Sequence, residues 1–280
     1  MDAPKFRTKP KVHEPKGLFF GKSGTGKTSV ALSTGKPTVL INTDNGAEEI
    51  LSQNKKADIQ VADFFPAASG SGDEKENQAT RKANSETWTA LLDTLRWLAS
   101  NEHDRKVLVI DSIDAAETLA CDHVCYQKGK ASIGEFDFGK GYALVRDQMS
   151  TLLRACTFLN ESKGMEPILI AHAAVRRNEE PHLPAYDAWS IKLNKNVAPL
   201  FMEWADAALF LAFKTIVVPE QGDFGKKRNK AHMDENRIFL TSPQTGIEAK
   251  NRFNFPSQIP ASYDEYRKLI SDFRNGKTGD

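Results

Sequence analysis

The chain has few cysteines, no long apolar run and almost no net charge. Its 280 residues include three cysteines, an odd number without a disulfide framework. No stretch is apolar over the length of a membrane span, and no signal-peptide pattern is visible. We therefore expect a cytoplasmic protein without membrane contact. Lysine and arginine (38) nearly balance aspartate and glutamate (37), so a surface for a polyanion must be a local patch.

The composition nevertheless suits a folded protein. At 40% hydrophobic residues, the chain can bury the core of one large domain with short appendages. We find no internal repeat. Cys121, His123 and Cys125 lie close in sequence, but their spacing does not match a zinc pair and no second ligand pair follows. Packing within a helix is the interpretation that this triplet favours.

Residues 21–28 have the sequence GKSGTGKT, which fits the phosphate-binding loop pattern G-x-x-x-x-G-K-[ST] without a mismatch. An apolar run precedes the loop and a helix-forming segment follows it, as the motif requires. Lys27 is expected to reach the β- and γ-phosphates of a nucleotide, and the Thr28 hydroxyl to ligate Mg²⁺. The predicted nucleotide-binding residues are Gly21, Lys22, Ser23, Gly24, Thr25, Gly26, Lys27, Thr28 and Ser29.

Three further apolar runs each end in a polar residue and are predicted to be buried parallel strands. The first precedes Asp44, the second ends in Asp111 and the third ends in His172. Because ligands of open α/β sheets bind at the carboxyl ends of the strands, we expect these side chains near the phosphates. Asp111 is predicted to hold the Mg²⁺ shell together with Thr28, and His172 to sense the phosphates.

Other segments set the predicted domain boundaries. Residues 1–16 are basic and proline-rich, and we expect a mobile segment before a core that spans 17–260. Residues 66–84 are predicted to be a flexible insertion, followed by a helix that Ser85 caps. Residues 261–280 are predicted to form a final helix and tail.

One predicted loop carries candidate contacts to nucleic acid. Residues 173–199 interleave cations with aromatic rings in a way that suits unstacked bases. Acidic residues nearly cancel the charge of this loop, so a solvated connection remains an alternative. Its candidate nucleic-acid residues are Arg176, Arg177, Trp189, Lys192 and Lys195. Residues 127–142 are also predicted to contain a loop, rich in glycine.

In chain order, several segments resemble the RecA-like P-loop ATPases of phages, which include compact recombinases and single-strand annealing proteins. The segments are GKSGTGKTS, LINTDNG, VLVIDS, DFGKGY, ILIAH, AYDAW, EWADAALF and AKNRF. The resemblance implies an α/β fold: a RecA-like P-loop core with a mostly parallel central sheet flanked by helices, and a C-terminal β-hairpin extension.

The resemblance also implies a Mg-ATP-dependent, single-stranded-DNA-binding ATPase of phage DNA recombination, acting in the host cytoplasm. Subunits would assemble head to tail with ATP between neighbours, and a single-stranded-DNA-binding protein is an expected partner. His172 would couple the γ-phosphate to a DNA-binding loop at 173–199, and residues 127–142, with Lys128 and Lys130, would form an earlier loop of this kind. Lys250 and Arg252 match an element that reaches the neighbouring subunit's ATP, and their spacing on an extended segment points both cations the same way.

The sequence departs from this family at the residue that orients the attacking water. The family usually has a glutamate there, whereas this chain has Asp44, with Glu48 one helical turn further on. Hydrolysis is then either slow or supported by Glu48. Other functions stay open: a replication motor or helicase loader with the same core, or a nucleotide-gated binding protein with little turnover. The sequence also leaves ring and filament assembly undecided.

Overall fold

The computed structural model describes residues 6–68, 73–181, 183–221, 227–244 and 246–277. The strands are β1 (Gly17–Gly21), β2 (Thr38–Asn42), β3 (Ile59–Asp63), β4 (Val107–Asp111), β5 (Glu166–Asn178), β6 (Tyr186–Ile191), β7 (Ala207–Gln221), β8 (Lys227–Leu240), β9 (Lys250–Asn251) and β10 (Gln258–Pro260). The helices are α1 (Lys27–Leu32), α2 (Glu48–Gln53), α3 (Glu74–Ser100), α4 (Ile113–Lys128), α5 (Lys140–Lys163), α6 (Ala198–Trp204) and α7 (Tyr263–Arg274).

One sheet organises the fold, with the strand order β10-β8-β7-β1-β5-β4-β2-β3. From β7 to β3, neighbouring strands run parallel, and β8 and β10 add antiparallel strands at one side. β6 pairs with the distal half of β5, and β9 pairs with the start of β7, both antiparallel. This arrangement confirms the predicted α/β fold class, a mostly parallel sheet with a C-terminal hairpin extension.

Helices cover both faces of the sheet, which explains why the central strands are continuous apolar runs. On one face, Leu18 and Phe20 join a cluster that includes Trp88 of α3 and Met149 of α5. On the opposite face, side chains of β1 and β4 pack against α1 and α7, with the fully buried Tyr266 ring set edge-on to a strand residue. The side chains of β1 therefore alternate between two separate hydrophobic layers.

Residues 74–84, within the stretch 66–84 predicted to be a flexible insertion, form the start of helix α3. Helix α3 begins at Glu74, and the carboxylate of Asp73 caps it by accepting from two backbone N–H groups. Ser85, predicted to be the cap, lies inside this helix and contacts a ring nitrogen of His123. Asn84 is buried and hydrogen-bonds the backbone of Ala67, so the two ends of the segment are held together.

Within the N-terminal segment 1–16, residues 13–16 contact the body of the protein, and the expected mobility of the segment stays a prediction. The backbone N–H of Lys16 donates to Asp206, the carbonyl of His13 accepts from Arg274, and Glu14 pairs with Arg267. Residues 6–12 are exposed, and residues 1–5 lie outside the described chain. The N-terminal segment is thus held against the body of the protein from residue 13 onward.

The predicted C-terminal hairpin extension is formed by β7 and β8. These strands pair from Phe210 opposite Leu240 to Gln221 opposite Lys227, with an irregularity between Phe213 and Thr215. Charged residues interrupt the alternating apolar pattern of this segment, so the sequence alone does not indicate two long strands. In the part of the chain that is described, no helix is long and apolar enough to cross a bilayer.

Candidate nucleotide-phosphate site

The predicted site residues meet where parallel strands end. Gly21, the last residue of β1, is level with His172 on β5. Asp111 ends β4, and its carbonyl accepts from the N–H groups of Thr43 and Asp44, which extend from the neighbouring β2. The sheet order β2-β4-β5-β1 therefore gathers residues that are far apart in sequence.

A cavity of about 370 Å³ opens at this edge, and we call it the phosphate cavity. It is lined by Ser23, Gly24, Gly26, Lys27, Thr28, Ser29, Asp44, Gly46, Ile50, Asp111, His172 and Arg237. Six of the predicted binding residues are in this lining. Gly21, Lys22 and Thr25 support the loop instead, and the Thr25 hydroxyl closes a turn by donating to the Lys22 carbonyl at 2.9 Å.

Lys27 lies on the floor of the loop and is 6% exposed. Its ammonium group donates to the carbonyl oxygens of Gly21 at 3.1 Å and Lys22 at 2.9 Å. Burial lowers the pKa of Lys27, and nearby carboxylates, Asp111 foremost, oppose this shift. The loop thus confines a cation beside a cavity, as the binding of phosphate oxygens requires.

Thr28 and Asp111 form the second part of the site. The Thr28 hydroxyl donates to the buried carboxylate of Asp111. Burial raises the pKa of Asp111 to about 6, although the hydrogen bond from Thr28 and the charge of Lys27 oppose it. A hydroxyl and a carboxylate are hard oxygen ligands, and Mg²⁺ in phosphate sites takes one or two such ligands besides phosphates and waters. The donor set therefore fits Mg²⁺.

His172 connects the phosphate cavity to helix α4. Its Nδ1 lies 2.9 Å from Asp114 Oδ2, its backbone N–H donates to Asp114 Oδ1, and its Nε2 lies 3.7 Å from Asp44 Oδ2. The hydrogen bond to Asp114 raises the pKa of His172, against the effect of burial. Burial favours a higher pKa for Asp114, but its bonds to His172 outweigh burial and lower it.

Sequence reasoning missed two residues and misplaced a third. Asp114 follows Asp111 by three residues at the start of α4, a spacing that could have marked it. Arg237 comes from β8 and carries no motif, because only the order of the sheet brings it to the cavity. Glu48 is exposed at the first turn of α2 and does not line the cavity, so the suggestion that it replaces Asp44 is not supported.

Lys250 and Arg252 lie at the opposite edge of the sheet. β9 pairs with Ala207 and Ala208, which start β7, whereas the phosphate loop follows the other end of β1. The Lys250 ammonium donates to the carbonyls of Met202 and Glu203 at the end of α6, and Arg252 pairs with Asp206 at 2.9 Å. Both cations are engaged within the chain and are remote from its own phosphate cavity.

Residues 173–199 are not one loop, as expected, but begin with a β-hairpin. β5 continues beyond His172 and pairs with β6 from Ala173 opposite Ile191 to Asn178 opposite Tyr186, and we call residues 173–191 the β5–β6 arm. On this arm, Arg177 lies near the carboxylates of Glu179 and Asp187.

Trp189 packs inward instead of offering a free ring to a base. Its ring stacks on Phe210 with centroids 6.2 Å apart, and the Lys22 ammonium lies 4.7 Å from its centroid. The phosphate loop therefore touches the β5–β6 arm directly.

Of the remaining candidate nucleic-acid cations, Arg176 is half-buried and the four lysines are solvent-facing. Lys128 is the last residue of α4, and Lys130, Lys192 and Lys195 are also exposed. Lys195 and Arg146 line one surface hollow together with Gly139, so the two segments predicted to be loops approach each other there. The segment 127–142 is only partly a loop, because α4 extends to residue 128 and α5 begins at residue 140.

Comparison with known proteins agrees with the site. Residues 13–253 match the AAA domain family. No curated protein sequence matches the chain. Among solved structures, the chain is similar to the crystal structure of the RadB recombinase, with 15% sequence identity and a TM-score of 0.41. The match covers 88% of this chain and 86% of the RadB chain. The match over most of the sequence identifies the chain as a member of the AAA domain family, a P-loop nucleotide-binding protein.

Proposed function

We propose that the protein is a Mg-ATP-dependent ATPase that binds single-stranded DNA in phage recombination, where strands are annealed or exchanged. The observation that carries the proposal is the position of His172. One ring nitrogen lies near Asp44 in the phosphate cavity, the other contacts Asp114, and the next residue begins the β5–β6 arm. A change of charge in the cavity is thereby linked to a charged surface element.

The cavity has a residue for each requirement of ATP hydrolysis. Lys27 would neutralise phosphate charge, and Thr28 and Asp111 would hold Mg²⁺, which would supply further positive charge to the phosphates. Asp44 is the carboxylate in position to orient water. The water oxygen bonds to the γ-phosphorus as the bond to the ADP oxygen breaks, which yields ADP, phosphate and a proton. The side chain of Asp44 is 44% exposed, so water has access to it.

A DNA surface is proposed on the side of the molecule that the β5–β6 arm shares with residues 192–199. Lys192 and Lys195 are exposed, and the backbone N–H of Lys192 donates to the carbonyl of His172 at 2.8 Å. The carboxylate of Glu117 on α4 accepts from the N–H of Asn194 at 2.9 and 3.0 Å. Movement of His172 or α4 would therefore move these lysines, whose contacts to phosphates carry no sequence preference.

ATP hydrolysis measured with and without single-stranded DNA tests the proposal. We expect hydrolysis to be stimulated by DNA, to require Mg²⁺ and to be lost in Lys27→Ala, and we expect a labelled oligonucleotide to shift in a gel at low salt. Lys192→Ala combined with Lys195→Ala should weaken DNA binding and leave hydrolysis without DNA unchanged. Equal hydrolysis with and without DNA, together with no shift, would exclude this function.

Head-to-tail assembly with shared ATP is part of the proposal. Arg252 is 55% exposed, and its edge of the sheet is opposite the phosphate cavity, an arrangement that suits contact with a neighbouring subunit's cavity. Arg252→Ala should then bind ATP and assemble, as measured by light scattering, but fail to hydrolyse ATP. Normal turnover by the assembled variant would show that the neighbour contributes no catalytic cation here.

A nucleotide-gated binding protein with little turnover is the second candidate. Asp44 supports it, because this carboxylate is one methylene shorter than the glutamate of related ATPases and lies 3.7 Å from His172 Nε2. Tight ATP binding without release of phosphate, even with DNA, would favour this function. Replication motors or loaders are distinguished by unwinding of a forked substrate, which an annealing protein does not perform.

A further inference from the structure

We propose that Arg237 is a ligand of the nucleotide phosphates that acts on the phosphate loop of its own chain. The inference rests on the proposed binding of ATP and adds a residue that no sequence motif marks. It adds a cation of the same chain to Lys250 and Arg252, which are expected to reach the ATP of a neighbouring subunit. Four observations support it: sheet register, contact with the loop, charge and the absence of a carboxylate partner among the described residues.

The register of the sheet places Arg237 beyond the end of the phosphate-loop strand. Gly21, the last residue of β1, is level with Leu211 on β7. Two residues further along β7, Phe213 is opposite Arg237 on β8. The backbone of Arg237 is also tied on its other side, since its carbonyl accepts from the N–H of Ala261 at 3.0 Å. The side chain therefore starts from a fixed point beside the loop.

The guanidinium group packs against Gly26, the residue before Lys27. A β-carbon built on Gly26 would lie 2.1 Å from Nη1 and 3.0 Å from Cζ of Arg237. Gly26 has a φ of 91°, so both its backbone conformation and the position of the arginine require a glycine. The Arg237 guanidinium and the loop thus form one surface, which lines the phosphate cavity.

The negative charge in the cavity, once a nucleotide is bound, exceeds what Lys27 alone neutralises, so a second cation is favourable there. Its lining contains the carboxylates of Asp44 and Asp111, and the cations Lys27 and Arg237. Mg-ATP brings further negative charge, which one ammonium group does not balance. Within the described residues, no carboxylate is found at ion-pair distance from Arg237. A planar guanidinium with free donors is suited to bind two phosphate oxygens at once.

An aromatic ring supports the guanidinium from β7. The Cζ of Arg237 lies 5.9 Å from the centroid of Phe213, a distance at which a cation is attracted to the face of a ring. The arginine is exposed and can move, but this ring and Gly26 limit the directions open to it. Preorganisation of this kind reduces the conformational entropy lost on binding a ligand.

Nucleotide affinity tests the inference without requiring turnover. Fluorescent ATP and ADP analogues are titrated into wild type, Arg237→Ala, Arg237→Lys and Lys214→Ala, the last of which removes a neighbouring cation from the same hairpin outside the cavity lining. We expect Arg237→Ala to bind about 10- to 100-fold more weakly, as for a lost charge-assisted hydrogen bond. Arg237→Lys should recover part of the affinity, and Lys214→Ala should bind like wild type.

Unchanged affinity in Arg237→Ala for both nucleotides would overturn the inference, and thermal melting identifies any loss caused by unfolding. An equal loss of affinity in Lys214→Ala would also overturn it, because general charge would then explain the effect. If wild type binds neither nucleotide, the proposed function itself fails, which is a separate and visible result. If ATP binds but is not hydrolysed, the titration still decides whether Arg237 is a ligand of the phosphates, because it measures binding and not turnover.

Mixing two variants, at an ATP concentration at which neither hydrolyses ATP alone, distinguishes action within one chain from action between chains. In a mixture of Lys27→Ala and Arg237→Ala, no site contains both residues from a single chain. We expect no recovery of hydrolysis, because each cavity needs its own Arg237. Recovery would show that Arg237 acts on a neighbouring chain and would overturn the inference. The mixture of Lys27→Ala with Arg252→Ala is the matched comparison, in which assembly through Arg252 predicts recovery.

Discussion

The amino ends and the carboxyl ends of the parallel strands both carry buried charged side chains, but these two sides of the sheet differ in which groups neutralise the charge. At the edge where the parallel strands start, Glu166 is fully buried and its Oε2 accepts from Tyr263 at 2.6 Å. The same oxygen lies 3.4 Å from Lys36 and 3.1 Å from Arg267, which also pairs with Glu14. Side chains of the same chain thus satisfy Oε2, whereas Oε1 is buried without a hydrogen-bond partner among the described residues.

At the edge where the strands end, charged groups face a cavity. Lys27 donates to backbone carbonyls, and the Arg237 guanidinium packs against Gly26 and the ring of Phe213. Burial raises the pKa of Glu166 against its cationic neighbours, just as it raises that of Asp111. Perturbed ionisation therefore does not separate a structural cluster from a functional one. The two clusters differ instead in their access to a cavity and in whether, among the described residues, their cations have carboxylate partners.

The largest expected effect is on nucleotide turnover when Lys27 is replaced. Lys27→Ala should reduce ATP hydrolysis by about a hundredfold or more, because a preorganised cation at the phosphates is lost. The melting temperature should change little, since the removed ammonium group has no carboxylate in direct contact and is disfavoured by burial. Hydrolysis assays and calorimetry on one preparation check this. A large drop in melting temperature would assign Lys27 a structural role like that of Glu166.

The opposite result is expected at the other edge. Glu166→Ala should lower the free energy of unfolding by roughly 1–3 kcal/mol, because the buried Tyr263 hydroxyl loses its acceptor and the half-buried Arg267 keeps only Glu14. Nucleotide affinity should stay at the wild-type value under conditions in which the variant is folded. Denaturant unfolding and nucleotide titration measure the two quantities. The exposed pair of Arg96 and Asp93 offers a control, for which Arg96→Ala should cost about 1 kcal/mol or less.

The phosphate loop, the sheet and Asp111 could be predicted because each depends on local sequence. A glycine-rich loop after a short apolar run has one common use, and continuous apolar runs predict strands buried on both faces. The carboxyl-end rule then placed Asp44, Asp111 and His172 at one edge, and the structure brings all three to the cavity.

What could not be predicted depends on pairing between distant segments. The sequence of the β5–β6 arm predicts a loop, because Arg176 and Arg177 interrupt its apolar pattern. The arm is a hairpin because residues 173–178 pair with residues 186–191. Helix α3 starts earlier than predicted because Asp73 caps a polar first turn that has no apolar stripe. Arg237 reaches the cavity through the order of β8, β7 and β1, which no local pattern encodes.

A smaller effect is expected from the pair of His172 and Asp114. The folded pKa of His172 is raised, so its contribution to stability is complete below the unfolded pKa and is lost as pH rises through the folded pKa. The folded pKa of Asp114 is lowered, so its contribution is lost as pH falls through that value. The stability difference between wild type and His172→Ala should therefore shrink above neutral pH. Denaturant unfolding across pH measures it, and a difference independent of pH would contradict it.

The smallest effect concerns the contact between the phosphate loop and the β5–β6 arm. Lys22 lies over the ring of Trp189, and a partly exposed cation of this kind interacts by about 0.5–1 kcal/mol. A double-mutant cycle of Lys22→Met and Trp189→Leu should give a coupling of that size in unfolding free energy. If the loop and the arm communicate, the same cycle measured on ATP affinity should also be non-additive. Additive effects on affinity would mean that this contact only packs the two elements together, and communication between cavity and arm would then rest on His172 alone.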